Sequence, residues 1–300
     1  ANWIAPAPPV SFTDKQAVTR ALLRSGATIG EINTVRKHLS LIKGGRLAQR
    51  AFPARLVTIA ISDVPGDDPS AIGSGPTVPD PTTLIEARAV VNRYKLGLPS
   101  SVMRSFADPA HETPKHHDRA FIASHFVIAT RPADALLAAE MAARKAGYEC
   151  ILLGDQIEGE ARMIAKQHAR LVRDLRAARR RVVILSGGEL TVSIRGQGIG
   201  GPNQEYALAL AIELDDMPAV TALAADTDGT DGGDGAANDP AGAVLDSKTV
   251  SRAAALGLDS AAFLADNNST GFFAALDDLL ITGPTYTNVN DFRVILVDVP

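Results

Sequence analysis

Cysteine is nearly missing from this sequence. One residue, Cys150, among 300 excludes an intrachain disulfide framework and a cysteine-built metal centre, and it fits a reducing compartment, here expected to be the cytoplasm. No window holds the roughly eighteen consecutive apolar residues of a membrane span, so no membrane partner is expected. An excess of positive charge is missing too. Thirty Lys and Arg against 34 Asp and Glu give a formal net charge of -4, which lacks the basic field that non-specific nucleic-acid binding depends on. The partner is therefore expected to be a small molecule. There is no repeat in the solenoid range. An initiating methionine is absent as well: Ala1-Asn-Trp-Ile-Ala-Pro-Ala-Pro-Pro-Val10 carries neither the basic nor the long apolar region of a complete signal peptide and reads as the middle of a longer chain.

What is present is an ordinary globular composition, 46% hydrophobic and 21% charged, with length enough for two domains. Helical and strand-like periodicities alternate along the chain. Helices are expected over 14–25, with Gly26 as a stop, over 132–145 behind Pro132, from about 158 to 173, and over 203–214. Strands are expected at 55–62, 150–153, 181–185, 219–225, 279–282 and 293–297. Residues 190–195 alternate polar and apolar, and are read as pairing with 181–185 in a hairpin across Gly187-Gly188. The polar, non-periodic stretch 107–125 is taken as the boundary between a first domain, 1–112, and a second, 113–300. Strands alternating with helices place the fold in the α/β class.

The expected strands end in glycine, small hydroxyl residues and acids, at the edge where open α/β sheets bind ligands. Asp63 follows the first strand; Gly73, Ser74, Gly75 and Thr77 come shortly after; Ser186, Gly187, Gly188 and Glu189 end another strand. Glycine lets backbone N–H groups converge on an anion, so these segments are candidate phosphate cradles, although each taken singly is also a tight turn. Asp226, Asp228, Asp231 and Asp234 put four carboxylates within nine residues, a concentration that suits a hard cation, Mg²⁺ with phosphate oxygens in particular. The spacing fails the EF-hand pattern, and a solvated turn is the alternative. Arg36, Lys37, Lys43 and Arg46 are cations able to neutralise a polyphosphate or a carboxylate. The six histidines show no zinc-ligand spacing. Gly196-Gln-Gly198-Ile-Gly-Gly201 matches the dinucleotide fingerprint in letters, but the strand before it alternates, whereas the first strand of a dinucleotide-binding unit is buried on both faces.

Together these motifs resemble the class II glycerate kinases, whose C-terminal half is the MOFRL domain. The resemblance is carried in order by Asn33-Thr-Val-Arg-Lys-His-Leu-Ser40, Lys43-Gly-Gly-Arg-Leu-Ala48, Ser62-Asp-Val-Pro-Gly-Asp-Asp68, Gly73-Ser-Gly-Pro-Thr77, Ser186-Gly-Gly-Glu189, Gly200-Gly-Pro-Asn-Gln-Glu205, Asp226-Thr-Asp-Gly-Thr-Asp-Gly232, Asn268-Ser-Thr-Gly-Phe-Phe273 and Asn288-Val-Asn-Asp291. It implies two layered α/β domains, a Rossmann-like N-terminal part shortened relative to the family and a MOFRL-type C-terminal domain, with the active site in a cleft between them. It implies ATP- and Mg²⁺-dependent phosphorylation of D-glycerate to 2-phosphoglycerate, with a homodimer left open. Members also carry the name hydroxypyruvate reductase, from gene neighbourhoods of tartrate degradation. An NAD(P)H-dependent reductase using Gly196 to Gly201 is thus one rival reading, and a non-catalytic ligand-binding module is another.

On this resemblance, Lys43 or Arg46 holds the carboxylate of glycerate, and Asp63 or Glu189 orients its 2-hydroxyl. The nucleotide lies over Gly73, Ser74, Gly75 and Thr77, and over Ser186, Gly187 and Gly188, with Asn203 and Glu205 nearby. Asp226, Asp228 and Asp231 hold the metal. Two departures follow from the comparison with the family. Members are longer at the N-terminus by roughly a hundred residues, which carry a catalytic lysine and a glycine-rich segment. Many have an arginine where this chain has Pro202, so that Arg195 or Arg46 must supply that cation.

Overall fold

The computed structural model describes residues 3–299; Ala1 and Asn2, at the start of the N-terminal segment, and Pro300 lie outside the described residues. The chain divides into two compact units, Ala1–Ala129 and Thr130–Pro300.

Unit 1 is built on helices. α1 (Phe12–Ser25), α2 (Ile29–His38), α4 (Leu84–Arg93) and α5 (Ser100–Ala107) surround an apolar cluster, with the short α3 (Arg46–Ala51) between α2 and the strand β1 (Leu56–Ile61). α1, α2 and α4 each open with a capping box: Ser11 with Asp14, Thr28 with Glu31, and Thr83 with Glu86. In each, hydroxyl and carboxylate reciprocally satisfy otherwise orphaned N–H groups. The core is Val18 and Leu22 of α1, Ile32, Val35 and Leu39 from α2 onward, Ala87, Val90 and Val91 of α4, and Val102 and Phe106 of α5. β1 pairs with β2 (Ser124–Thr130) in a two-stranded sheet. The polar stretch 107–125 thus runs into a strand, and the compact units part at the far end of that strand, between 129 and 130.

Unit 2 is a sheet with helices on both faces. Its strands are β3 (Glu149–Leu152), β4 (Ile157–Glu160), β5 (Val182–Thr191), β6 (Val220–Asp226), β7 (Gly242–Asp246), β8 (Leu279–Leu280) and β9 (Asp291–Val297), in the order β3-β5-β9-β6-β7-β8, with β4 also on β5. β3 and β4 run parallel to β5; β9 lies antiparallel between β5 and β6; β7 and β8 continue antiparallel. Val182 and Ile184 of β5 face a large core formed with α7 (Ala161–Ala177), α8 (Pro202–Glu213) and α11 (Ser269–Leu276). Val183 and Leu185 face α6 (Pro132–Lys145) through Leu136. Burial of both faces is why residues 182–185 read as one continuous apolar run. α9 (Thr249–Ala255) and α10 (Ser260–Ala265) complete the unit.

One expectation is overturned. Residues 182–191 form a single strand and not the two arms of a hairpin. The Gly-Gly pair lies in mid-strand, where Gly188 has φ +106 and a Cβ there would collide with the backbone of Ile157 in β4. The glycine answers to a neighbouring strand's close approach and does not mark a reversal. Leu190 points into the core and Val192 packs against it while Thr191 and Ser193 are exposed, but the alternation has no structural counterpart beyond that, since the strand ends at Thr191 and Ile194 is exposed.

Candidate active site

In unit 1 the loop before α3 meets the glycine segment 73–77. The Gly44 N–H donates to Ser74 O at 2.9 Å, and the Gly45 N–H to Gly75 O at 2.7 Å. Lys43 Nζ, on a side chain otherwise buried, donates to Gly73 O at 3.3 Å. Two motifs read separately in the sequence are therefore one structure. The amides of Ser74 and Gly75 bond Ala71 O and Ile72 O, at 2.8 and 2.9 Å. Thr77 is buried, its hydroxyl accepting from Thr58 at 2.7 Å. These groups are committed within the fold, so the charge this region offers an anion comes from side chains.

The four cations differ in how they are used. Lys37 is buried against Asp80 at 3.2 Å. The Lys37 charge and the N–H and hydroxyl of Thr82 outweigh the burial of Asp80, holding its carboxyl below the usual range. Arg46 donates to His111 O at 2.7 Å and Glu112 O at 3.3 Å, and its guanidinium pKa is lowered, mainly by burial. Arg46 thus ties α3 to the segment after α5. Arg36 and Lys43 remain nearest to an anion-binding role. Asp63, after β1, is exposed, as a group reaching for a substrate hydroxyl must be.

Unit 2 concentrates its polar groups where β5 and β6 end and β9 begins. Arg293, 1% exposed, donates from Nη1 to Asp291 Oδ2 at 2.9 Å, from Nε to Ser186 Oγ at 3.3 Å, and from Nη2 to Gly187 O. Asp291 also accepts the Leu190 N–H at 3.1 Å and Asn203 Nδ2 at 2.6 Å. Ser186 and Gly187 are thus held by a buried guanidinium, with the Gly187 N–H spent on Gly154 O at 2.9 Å; Glu189 is exposed.

Asp231 accepts the N–H of Asn203 at 3.0 Å and of Gln204 at 2.8 Å, plus both side-chain amides. It caps α8 from a distant loop, satisfying donors that a helix N-terminus leaves open. Burial pushes its pKa up to about 6 against the lowering by these bonds. Asp226 is pushed up to about 7, first by burial and then by the charges of Asp228 and Asp291, although the Asp228 N–H bonds it at 3.0 Å. Asp228 is half-buried and Asp234 exposed. Among the described residues no three His, Cys, Asp or Glu side chains are grouped to hold a metal ion. With Asp231 spent as a cap, Asp226, Asp228 and Asp231 do not fit a magnesium cage made by the protein alone.

Asn203 and Glu205 are interior. Glu205 pairs with Arg162 at 2.7 Å and accepts Asn267 Nδ2 at 2.8 Å, while Asn267 Oδ1 takes the N–H groups of Arg195 and Gly196 at 2.7 and 3.0 Å. Pro202 occupies the first turn of α8 behind Gly201, where its missing N–H costs nothing. The Arg195 side chain is exposed. The fingerprint glycines are packed against protein: a Cβ at Gly196, Gly198 or Gly201 would strike Asp266, Asn268 or Asp231. They serve close backbone packing and leave no pyrophosphate turn.

Sequence reading missed Asp291 paired with Arg293, and Arg162 with Glu205. A signal for the first existed: a lone arginine in the apolar run 293–297 needs a buried counter-charge. Nothing local marks Arg162, whose partner lies 43 residues on.

Residues 1–107 match the family described as Domain of unknown function (DUF4147), and residues 182–291 match the MOFRL family. A protein of Agrobacterium vitis named "Putative hydroxypyruvate reductase" is 47% identical, covering 98% of this chain, which spans 67% of that protein. The D-glycerate 2-kinase of Thermotoga maritima is 39% identical, with 96% of this chain and 67% of the relative covered. The crystal structure of a glycerate kinase from Thermotoga maritima superposes with a TM-score of 0.88 at 38% identity, over 97% of this chain and 69% of that one. Among the described residues no helix is long and apolar enough to cross a membrane.

Proposed function

This chain belongs to the glycerate kinase family, and on that premise we propose that it transfers the terminal phosphoryl group of ATP to the 2-hydroxyl of D-glycerate, giving 2-phosphoglycerate in the cytoplasm. The observation that carries this reading is likeness across both units, 39% identity to a D-glycerate 2-kinase over 96% of the chain.

Phosphoryl transfer asks for position and charge neutralisation more than for covalent chemistry by the protein. In this reading the 2-hydroxyl oxygen bonds to the γ-phosphorus as the bond to the β,γ-bridging oxygen breaks. The hydroxyl proton passes to an exposed carboxylate, Asp63 or Glu189. Lys43, lodged against Gly73, is the cation proposed for substrate charge, and Arg195 is the exposed guanidinium available where Pro202 replaces the family's arginine. Mg²⁺ enters as part of the nucleotide substrate, consistent with its preference for phosphate oxygens and water plus one or two carboxylates. Asp226 and Asp228 are the carboxylates proposed to meet it.

A paired assay of the purified protein tests this: ATP, Mg²⁺ and D-glycerate in one arm, hydroxypyruvate with NADH or NADPH in the other. Glycerate-dependent ADP release is expected. Nicotinamide oxidation without ADP release would replace the kinase reading with the reductase one, despite the packed glycines at 196–201.

A further inference from the structure

Unit 1 contains a cavity of ≈ 290 Å³ whose charged lining is of one sign: Lys15 and Arg20 from α1, Arg36 from α2, and Lys43 from the following loop, with Ile4 and Phe12 adding an apolar side. Among the described residues no carboxylate lines it. Lys15 is 6% exposed, and its Nζ is fully buried with no hydrogen-bond partner among the described residues. Lys37 shows how the same unit treats an ammonium used structurally, by seating Asp80 at 3.2 Å. For Lys15 the nearest influences are like charges: its pKa is lowered to about 8, first by burial, then by Lys43 and Arg36.

An unpaired buried ammonium among further cations is costly, and α1 does not need one there, since its other buried positions are Val18 and Leu22. Among the described residues no acid pairs with Lys15. We propose that this cavity is a phosphate-binding site, in which Lys15, Arg36 and Lys43 hold the phosphate group of a small molecule. Several cations with no acidic neighbour over-compensate a carboxylate, whereas a phosphate dianion offers both the charge and the acceptor oxygens to occupy them. The volume is small for a whole nucleotide. It takes a free phosphate, a phosphorylated three-carbon acid, or the phosphate end of a nucleotide whose remainder lies outside. The site shares Lys43 with the kinase reading proposed above, whereas Lys15, Arg20 and Arg36 enter from the geometry of unit 1 alone.

Titration calorimetry and thermal melting of the purified protein test it, with inorganic phosphate, 2-phosphoglycerate and metal-free ATP as probes and acetate as the carboxylate control. Saturable, sub-millimolar phosphate binding with a rise in Tm is expected. Lys15→Met should weaken it by at least about tenfold while melting no lower than wild type without ligand, because an unpaired charge has been replaced by an apolar chain of like length. Should Lys15→Met fail to fold, Arg36→Gln is expected to weaken phosphate binding likewise. Tightest binding of 2-phosphoglycerate identifies the phosphorylated acid as occupant, tightest binding of ATP the nucleotide, and no preference free phosphate. Absence of saturable phosphate binding, equal affinity for acetate, or unchanged binding in the folded variants overturns the assignment. Binding is read without turnover, so a protein that binds phosphate but does not phosphorylate glycerate refutes only the kinase reading.

Discussion

Arg293 and Asp291, two residues apart on β9, form an ion pair at 2.9 Å with side chains 1% and 5% exposed. Around that pair unit 2 assembles Ser186, Gly187, Leu190 and Asn203. Removing one partner leaves the other charge buried and uncompensated. Asp291→Ala should lower stability by about 3–5 kcal/mol. The Asp291→Ala, Arg293→Met double variant should lose less than the two single losses added. Urea unfolding of the set decides it, and strict additivity would refute the coupling.

Asp231, which caps α8, and Asp228, proposed above to meet the nucleotide's metal, lie in one loop and should respond differently to alanine. Asp231→Ala deprives α8 of its cap and should cost about 1–3 kcal/mol, as a lower Tm. Asp228→Ala should keep the wild-type Tm and lose turnover by at least about a hundredfold. Wild-type turnover in Asp228→Ala would remove that residue from the proposed site.

Acid should unfold the protein partly through His168. Its Nδ1 lies 2.7 Å from Tyr206 Oη, and burial, with a smaller contribution from the Arg293 charge, lowers its pKa from 6.5 to about 4. The folded state therefore holds this proton less tightly than the unfolded state. The contribution is intact above pH 6.5 and is lost as pH falls from 6.5 toward 4, reaching about 3 kcal/mol. His168→Gln cannot titrate, so its urea midpoint should fall less over that interval. Parallel curves for the two proteins would show that His168 is not buried neutral.

Gly188 should not tolerate alanine. The positive φ and the closeness of Ile157 both oppose a Cβ, and Gly188→Ala is expected to cost about 3 kcal/mol or more. A Tm within a degree of wild type would mean that β4 does not approach β5 as closely as described.

Element type was readable where one physical rule dominated. The helix over 132–145 matches α6 to the residue, and the strands at 55–62, 150–153, 219–225 and 293–297 match β1, β3, β6 and β9 within two residues at each end. Caps and periodicity are local, so a one-dimensional reading captures them. Burial by other elements is not local. Nothing in 186–189 distinguishes a turn glycine from one that a parallel neighbour such as β4 keeps bare. Nothing in 226–231 says which aspartate caps a helix whose N–H groups lie 27 and 28 residues earlier in the chain and which stays half-buried.

By itself, then, the sequence determined the α/β class, the location of the motif-bearing loops and the family to which they belong, because those depend on residue order and near neighbours. Only the tertiary structure decided how each polar group is used: Lys37 matched by Asp80, Arg46 tied to the carbonyls of His111 and Glu112, Asp231 bound to α8, Lys15 left without a counter-charge. A charge's role depends on what lies within a few ångströms of it after burial, and those neighbours come from other parts of the chain.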